Sequence, residues 1–130
     1  SVMAAPIVPA LNDQEIERIL ESGYAAGARE AGYVLLRLPL EVAPIFKDWL
    51  LRHYPDRYRH VMSLIRSMRG GKDYDAEWGK RMKGSGPYAW QIGRRFEIAA
   101  KRLGLNVERR RLRHDLFKPP GIAGEQLTLL

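Results

Sequence analysis

Cysteine is absent from the 130-residue chain. Without a thiolate, the chain alone cannot form a disulfide, use a cysteine nucleophile or hold an iron–sulfur cluster. It also lacks any apolar run approaching the roughly 20 residues needed to cross a bilayer, and its start has no basic-then-apolar signal segment. The sequence predicts no membrane span, and we expect the protein in the cytoplasm, although a lack of cysteine fits any compartment.

Histidine is also scarce, and the three residues His53, His60 and His114 include no pair at the i, i+4 spacing of a helical metal site. No carboxylate completes a ligand set beside them. A P-loop, a dinucleotide fingerprint and a Gly-x-Ser-x-Gly elbow are missing as well. The sequence predicts no metal site and no catalytic residue within this chain.

Positive charge is abundant, because 22 Lys and Arg stand against 15 Asp and Glu, a net charge of +7. The excess is uneven. Residues 1–50 hold four basic and seven acidic side chains, whereas residues 51–130 hold eighteen and eight. A basic surface in the second part of the chain indicates a polyanionic partner.

The first forty residues have the pattern of a βαβ unit. An apolar run over residues 2–9 and a second over residues 33–39 are typical of buried parallel strands. Between them, Asn12 and Glu15 predict the capped start of a helix of about fifteen residues. Such a unit implies a parallel sheet with a right-handed crossover. Because domains rarely begin on a buried strand, we interpret the chain as a fragment that lacks an N-terminal part.

Residues 41–106 have helical periodicity, with three apolar stripes separated by Pro55 and by a glycine-rich loop over residues 72–86. Pro87 marks the start of the third helix. We divide the chain into a strand–helix–strand unit (1–40), a helical C-terminal extension (41–106) and a basic extended tail (107–130). The predicted fold class is α/β.

Arg37 is a charge near the carboxyl end of the second predicted strand, the end where parallel sheets place active sites. A half-buried guanidinium needs a partner, either a carboxylate or phosphate of a ligand or an internal acidic group. Both alternatives stay open. Asn12 follows the first strand on the same face, where helix capping is the simpler interpretation.

The segment from Arg69 to Tyr88 interleaves basic and aromatic side chains, which suits a polyphosphate with stackable bases. The alternative is a solvated loop whose indole packs on the helices. The predicted nucleic-acid-binding residues are Arg69, Lys72, Lys80, Arg81, Lys83, Trp78 and Tyr88.

Several segments together resemble a bacterial family of radical S-adenosylmethionine proteins related to spore photoproduct lyase. The resemblance covers essentially the whole chain and rests on residues 5–13 (APIVPALND), 33–39 (YVLLRLP), 49–50 (WL), 54–57 (YPDR), 69–75 (RGGKDYD), 81–88 (RMKGSGPY), Phe117 and 126–130 (QLTLL). It implies the last β/α units of a partial (β/α) TIM-like barrel, followed by a helical C-terminal extension.

The family holds a [4Fe–4S] cluster on a Cys-x-x-x-Cys-x-x-Cys loop and cleaves S-adenosylmethionine reductively. This chain has no such loop, so the resemblance implies a parent enzyme whose cluster lies outside it. Members are labelled DNA repair photolyases, and the resemblance implies action on nucleic acid. By matching position, Arg37 and Asn12 are expected on the cofactor face. The alternative is a non-catalytic basic nucleic-acid-binding module.

The last five residues resemble the bacterial sliding-clamp motif Gln-Leu-Ser/Asp-Leu-Phe. Thr128 replaces the usual Ser or Asp, and Leu130 replaces the final Phe. The expected partner-binding residues are Gln126, Leu127, Leu129 and Leu130. We also expect self-association through strand edges that missing barrel strands would leave exposed.

Overall fold

The computed structural model describes residues 1–108 and 114–117. About half of these residues are helical, and the rest include a two-stranded parallel sheet. In chain order the elements are β1 (Val2–Ile7), α1 (Ile16–Ala25), β2 (Ala31–Leu35), α2 (Val42–His53), α3 (Tyr58–Ser67) and α4 (Gly86–Arg102), with 3₁₀ turns at Asp13–Glu15 and Pro55–Arg57. The predicted α/β class is confirmed.

The two strands pair in parallel, which confirms the predicted sheet. Val2 lies opposite Ala31 and Ala4 opposite Tyr33, but the next pair joins Ile7 to Leu35. The register shift falls at Pro6, whose ring nitrogen has no hydrogen to donate to a ladder. The shift places the end of β1 beside the end of β2.

The start of α1 differs from the prediction. A 3₁₀ turn over Asp13–Glu15 precedes the helix, and the Asn12 side chain makes no capping hydrogen bond. Instead, Asn12 Oδ1 accepts from the Val8 N–H at 2.7 Å, and Nδ2 donates to the Pro6 carbonyl at 3.0 Å. The predicted cap was therefore wrong, because the asparagine closes the turn after β1 rather than opening the helix.

One face of the sheet carries the first hydrophobic core. Ala4 and Ile7 of β1 and Leu35 of β2 pack against α1 and α4. The buried helical residues of this core are Ile16, Leu20, Ala89, Ile92, Phe96, Ala99 and Ala100. On the opposite face, Met3 and Ala5 are exposed and Val34 is half-buried.

A second core joins α2 and α3 to the segment after β2. Leu38, Leu50, Val61, Met62 and Ile65 are its buried members. These residues of α3 are buried as a stripe, as its periodicity predicts, but the apolar side chains of Ile45 and Trp49 in α2 are exposed. Helix α4 belongs to the first core, whereas α2 and α3 belong to the second. The division between the two cores therefore does not coincide with the predicted domain boundary at residue 40.

Candidate nucleic-acid interface

A long loop between α3 and α4, residues 68–85, carries most of the predicted nucleic-acid-binding side chains; we call it the α3–α4 loop. Two backbone hydrogen bonds fix its position: one joins it to β2, and one joins its two ends. The Leu35 N–H donates to the Met82 carbonyl at 2.9 Å, and the Ser85 N–H donates to the Met68 carbonyl at 3.0 Å. The loop therefore lies against the carboxyl end of β2.

Gly84 permits this close approach. Its φ of +67° suits glycine, and a Cβ there would lie 3.1 Å from the Met68 carbonyl oxygen and 3.2 Å from Leu35 Cδ1. A side chain at this position would strain the backbone and press against Met68 and Leu35.

Arg69 fastens the same loop from inside. The residue is only 2% exposed. Its Nη1 donates to the carbonyls of Lys80 at 2.9 Å and Arg81 at 3.1 Å, and its Nη2 donates to the Leu36 carbonyl at 3.0 Å. Burial is the main cause that lowers the pKa of this guanidinium from its ordinary value. The prediction that Arg69 contacts a phosphate is corrected: its guanidinium is committed to three backbone carbonyls.

Asp73 fixes the first part of the loop onto the helices. Its carboxylate accepts from Lys47 of α2 and, at 2.7 Å, from Arg66 Nε of α3. The hydrogen bond from Lys47 is the largest cause that lowers the pKa of Asp73, and the bond from Arg66 acts in the same direction. Together with the Arg69 contacts, this bridge holds the loop at two points.

Trp78 lies at the outermost turn of the loop and is 81% exposed. The guanidinium carbon of Arg81 lies 4.1 Å from the centroid of the indole, a cation–π contact. The alternative in which Trp78 packs on the helices is therefore wrong.

The α3–α4 loop also carries three exposed lysines, Lys72, Lys80 and Lys83. Lys72 and Lys83 are exposed, and Lys83 Nζ lies 5.5 Å from the Tyr33 ring centroid. Lys80 is exposed too but pairs with Glu77 at 2.7 Å, a surface contact that solvent screens. The hydrogen bond that Lys80 donates to Glu77 is the main cause that raises the pKa of Lys80. Among the solvent-accessible cations of the α3–α4 loop, Lys80 is paired with an acidic side chain, whereas Lys72, Arg81 and Lys83 form no ion pair with an acid among the described residues.

Tyr88 lies away from this surface. Its hydroxyl is half-buried and donates to Asp13 Oδ2, in the 3₁₀ turn before α1, at 2.8 Å. Burial, followed by the hydrogen bond to Asp13, raises the pKa of Tyr88. Its polar end joins α4 to the turn before α1, and a stacking role for Tyr88 stays a prediction.

Arg37 lies just after β2, beside the loop. Its Nη2 donates to the Tyr74 hydroxyl at 3.0 Å, and its Nη1 lies 3.8 Å from Met82 Sδ. Its Nε is buried and has no hydrogen-bond partner among the described residues. No acidic side chain within 1–108 and 114–117 forms an ion pair with Arg37, so the internal salt bridge that the sequence left open is not found there.

A shallow apolar cleft of about 420 Å³ surrounds this arginine. Ala5, Pro6, Val34, Leu36 and Met82 line it together with Arg37. The cleft is on the sheet face that α1 and α4 do not cover. Asn12, the other predicted cofactor residue, does not line it, and its side chain is engaged by the backbone of its own turn.

Sequence reasoning missed Tyr74 and Met82 as the contacts of Arg37. Neither contact has a local signal, since they lie 37 and 45 residues from Arg37 in the chain. The predicted clamp-binding residues Gln126, Leu127, Leu129 and Leu130 lie outside the described residues, as does most of the predicted tail.

The fold and site define a mixed α/β protein with a basic, aromatic loop at the carboxyl edge of a parallel sheet. Searches against protein-family models, curated proteins and solved structures find no match to this chain. Within the described residues, no helix has the length and apolar character to span a bilayer. Nor do those residues contain a group of three or more His, Asp or Glu that could hold a metal ion.

Proposed function

We propose that the chain forms the last β/α units and the C-terminal extension of a radical S-adenosylmethionine enzyme that acts on nucleic acid in the cytoplasm. The observation that carries the proposal is the attachment of the basic, aromatic α3–α4 loop to the carboxyl end of β2. In folds built on parallel strands, ligands and reacting groups meet at that edge.

A place in a (β/α) barrel is supported by the two faces of the sheet. The face that packs against α1 and α4 corresponds to the outside of a barrel, where helices lie. The other face carries Met3, Ala5 and Val34 and would line the barrel interior. An arginine at the edge of that interior is suitably placed for an anionic ligand.

The cofactors of such an enzyme fit this chain unequally. A [4Fe–4S] cluster does not fit, because the sequence has no cysteine to ligate it. S-adenosylmethionine, which supplies the radical in this class of enzyme, fits at one point: the buried Arg37 Nε without a partner suits its carboxylate. Asn12 does not fit, because both of its polar side-chain atoms already bond to the backbone.

A second candidate function is a non-catalytic nucleic-acid-binding module. It is favoured by the same loop, whose unpaired cations and exposed indole need no cofactor to bind a polyanion. The two functions differ in whether the rest of the parent protein carries a three-cysteine loop, and the coding sequence upstream of Ser1 distinguishes them.

The binding step common to both functions is tested with fluorescence anisotropy of a labelled oligonucleotide over a series of KCl concentrations. Lys72→Gln, Arg81→Gln and Lys83→Gln are combined in one variant. Each lost phosphate contact on a single strand reduces the slope of log K against log salt by about 0.7, so three contacts reduce it by about 2.

A matched control removes the same charge from exposed positions on the helices, with Arg18→Gln, Arg59→Gln and Lys101→Gln combined. Its slope should stay within about 0.7 of the wild type, less than one phosphate contact. Equal slopes for the two triple variants, or no binding by the wild type, contradict the proposed interface.

Sliding-clamp binding through residues 126–130 remains a separate prediction. Fusing this peptide to an unrelated carrier and measuring its binding to the clamp tests it directly, with Leu129→Ala as the control.

A further inference from the structure

Trp78 presents a large apolar ring to solvent, although such rings usually lie in a core or against a partner. We propose that Trp78 is a stacking platform for an unpaired base, so that the α3–α4 loop prefers single-stranded or locally unpaired nucleic acid to an intact duplex. This inference rests on the proposed function and specifies its substrate class.

The turn that carries Trp78 is held in place before any ligand arrives. The Glu77 N–H donates to Asp75 Oδ1 at 2.9 Å, and the Arg81 N–H donates to the Glu77 carbonyl at 3.0 Å. Arg69 binds the following carbonyls from the interior. Because the turn is ordered by these bonds, stacking on the indole requires little further loss of conformational entropy.

The two faces of the indole are not equivalent. Arg81 covers one face at 4.1 Å, which leaves the other face for a planar ligand. Every nucleobase has a π-face, so this platform accepts bases without regard to sequence.

A duplex cannot use the platform without distortion. Each of its bases is already stacked and paired, and exposing one face to Trp78 requires extrusion, which costs a few kcal/mol. A single strand incurs much less of this cost. The charge contacts of Lys72 and Lys83, in contrast, act on phosphates of either form. Selectivity for unpaired bases should therefore depend on the Trp78 indole and not on these lysines.

Three oligonucleotides of one sequence test the inference: a single strand, the blunt duplex and the duplex with one unpaired bulge. Anisotropy titrations compare the wild type with Trp78→Ala and Trp78→Phe. Loss of one base–aromatic stack corresponds to roughly 5- to 150-fold weaker binding. We expect this loss for the single strand and the bulge, a smaller loss for Trp78→Phe, and less than about twofold for the duplex.

Trp49→Ala is the matched control, since Trp49 is an exposed tryptophan on α2 whose ring contacts are with its own helix and the adjoining Tyr54. It should leave all three affinities unchanged. A Trp49→Phe/Trp90→Phe variant retains Trp78 as its single tryptophan, and stacking should quench its emission when the single strand binds but not when the duplex binds.

The outcomes separate the two proposals. Equal weakening of single-strand and duplex binding by Trp78→Ala, or unquenched emission on saturation, overturns the stacking platform while the proposed function stands. If the wild type binds none of the three oligonucleotides, the proposed function itself fails. Binding of an apolar peptide in place of the oligonucleotides would assign Trp78 to a protein contact and overturn the inference.

Discussion

Replacing Arg69 with methionine should detach the α3–α4 loop and destabilise the whole fold. Methionine keeps much of the apolar volume of the side chain and removes three hydrogen bonds to the carbonyls of Lys80, Arg81 and Leu36. Each bond from a charged donor contributes about 1.5–3 kcal/mol. Removing the buried charge recovers several kcal/mol of desolvation. The hydrogen bonds lost outweigh the desolvation energy recovered, so the free energy of unfolding should fall by about 2–4 kcal/mol.

Urea unfolding measures that loss, and limited trypsin digestion locates it. In Arg69→Met, cleavage after the basic residues of the loop should accelerate before the core is digested, because the loop loses its interior attachment. Arg69→Lys should be no more stable than Arg69→Met, since one ammonium cannot reach carbonyls on both the turn and the strand.

Arg66→Met is the matched control: Arg66 is exposed, lies three residues away and pairs only with Asp73, which Lys47 also holds. It should cost less than about 1 kcal/mol. An Arg69→Met variant within about 0.5 kcal/mol of the wild type, with unchanged proteolysis, would refute the interior role of Arg69.

Three further outcomes are expected from contacts between distant segments. Arg95 donates two hydrogen bonds to the Glu17 carboxylate, at 2.9 and 2.7 Å, and this pair lowers the pKa of Glu17 below its ordinary 4.5. The pair therefore stabilises the fold above that pH, and this stabilisation is lost on acidification. The free energies of unfolding of the wild type and Glu17→Gln, measured with urea, should converge as the pH falls. Asn106→Ala removes two hydrogen bonds to the backbone of Ala31 and should cost about 1–3 kcal/mol by the same assay, with unchanged stability counting against it. A Cβ on Gly93 would lie 2.9 Å from Tyr33 Oη, so Gly93→Ala should lower the thermal midpoint in the wild type but raise it in Tyr33→Phe, where helix propensity adds about 1 kcal/mol.

Periodicity predicted the elements well because each is determined by its own residues. The stripes of α3 and α4 and the two apolar runs of the sheet are local patterns. Pro87 marked the start of α4 to within a residue, since the chain needs no N–H there.

Individual side chains were harder to predict because their contacts are distant in the chain. Arg69 has the charge of a phosphate ligand, but the Leu36 carbonyl that accepts from it is 33 residues away. Tyr88 and its partner Asp13 are 75 residues apart. Composition identified the loop as basic and aromatic, whereas only the fold distinguishes the side chains that face solvent from those that hold the loop in place.

The hydrogen bond from the Leu35 N–H to the Met82 carbonyl also determines how the sheet can grow. The Leu36 N–H donates to the Ile7 carbonyl on the β1 side. Because successive N–H groups of a strand point to opposite sides, the Leu35 N–H points to the outer edge of β2. With that donor occupied, a strand added beside β2 would have to displace the loop. A further strand would therefore pair more readily beside β1, and the loop protects this edge of β2 against edge-to-edge aggregation.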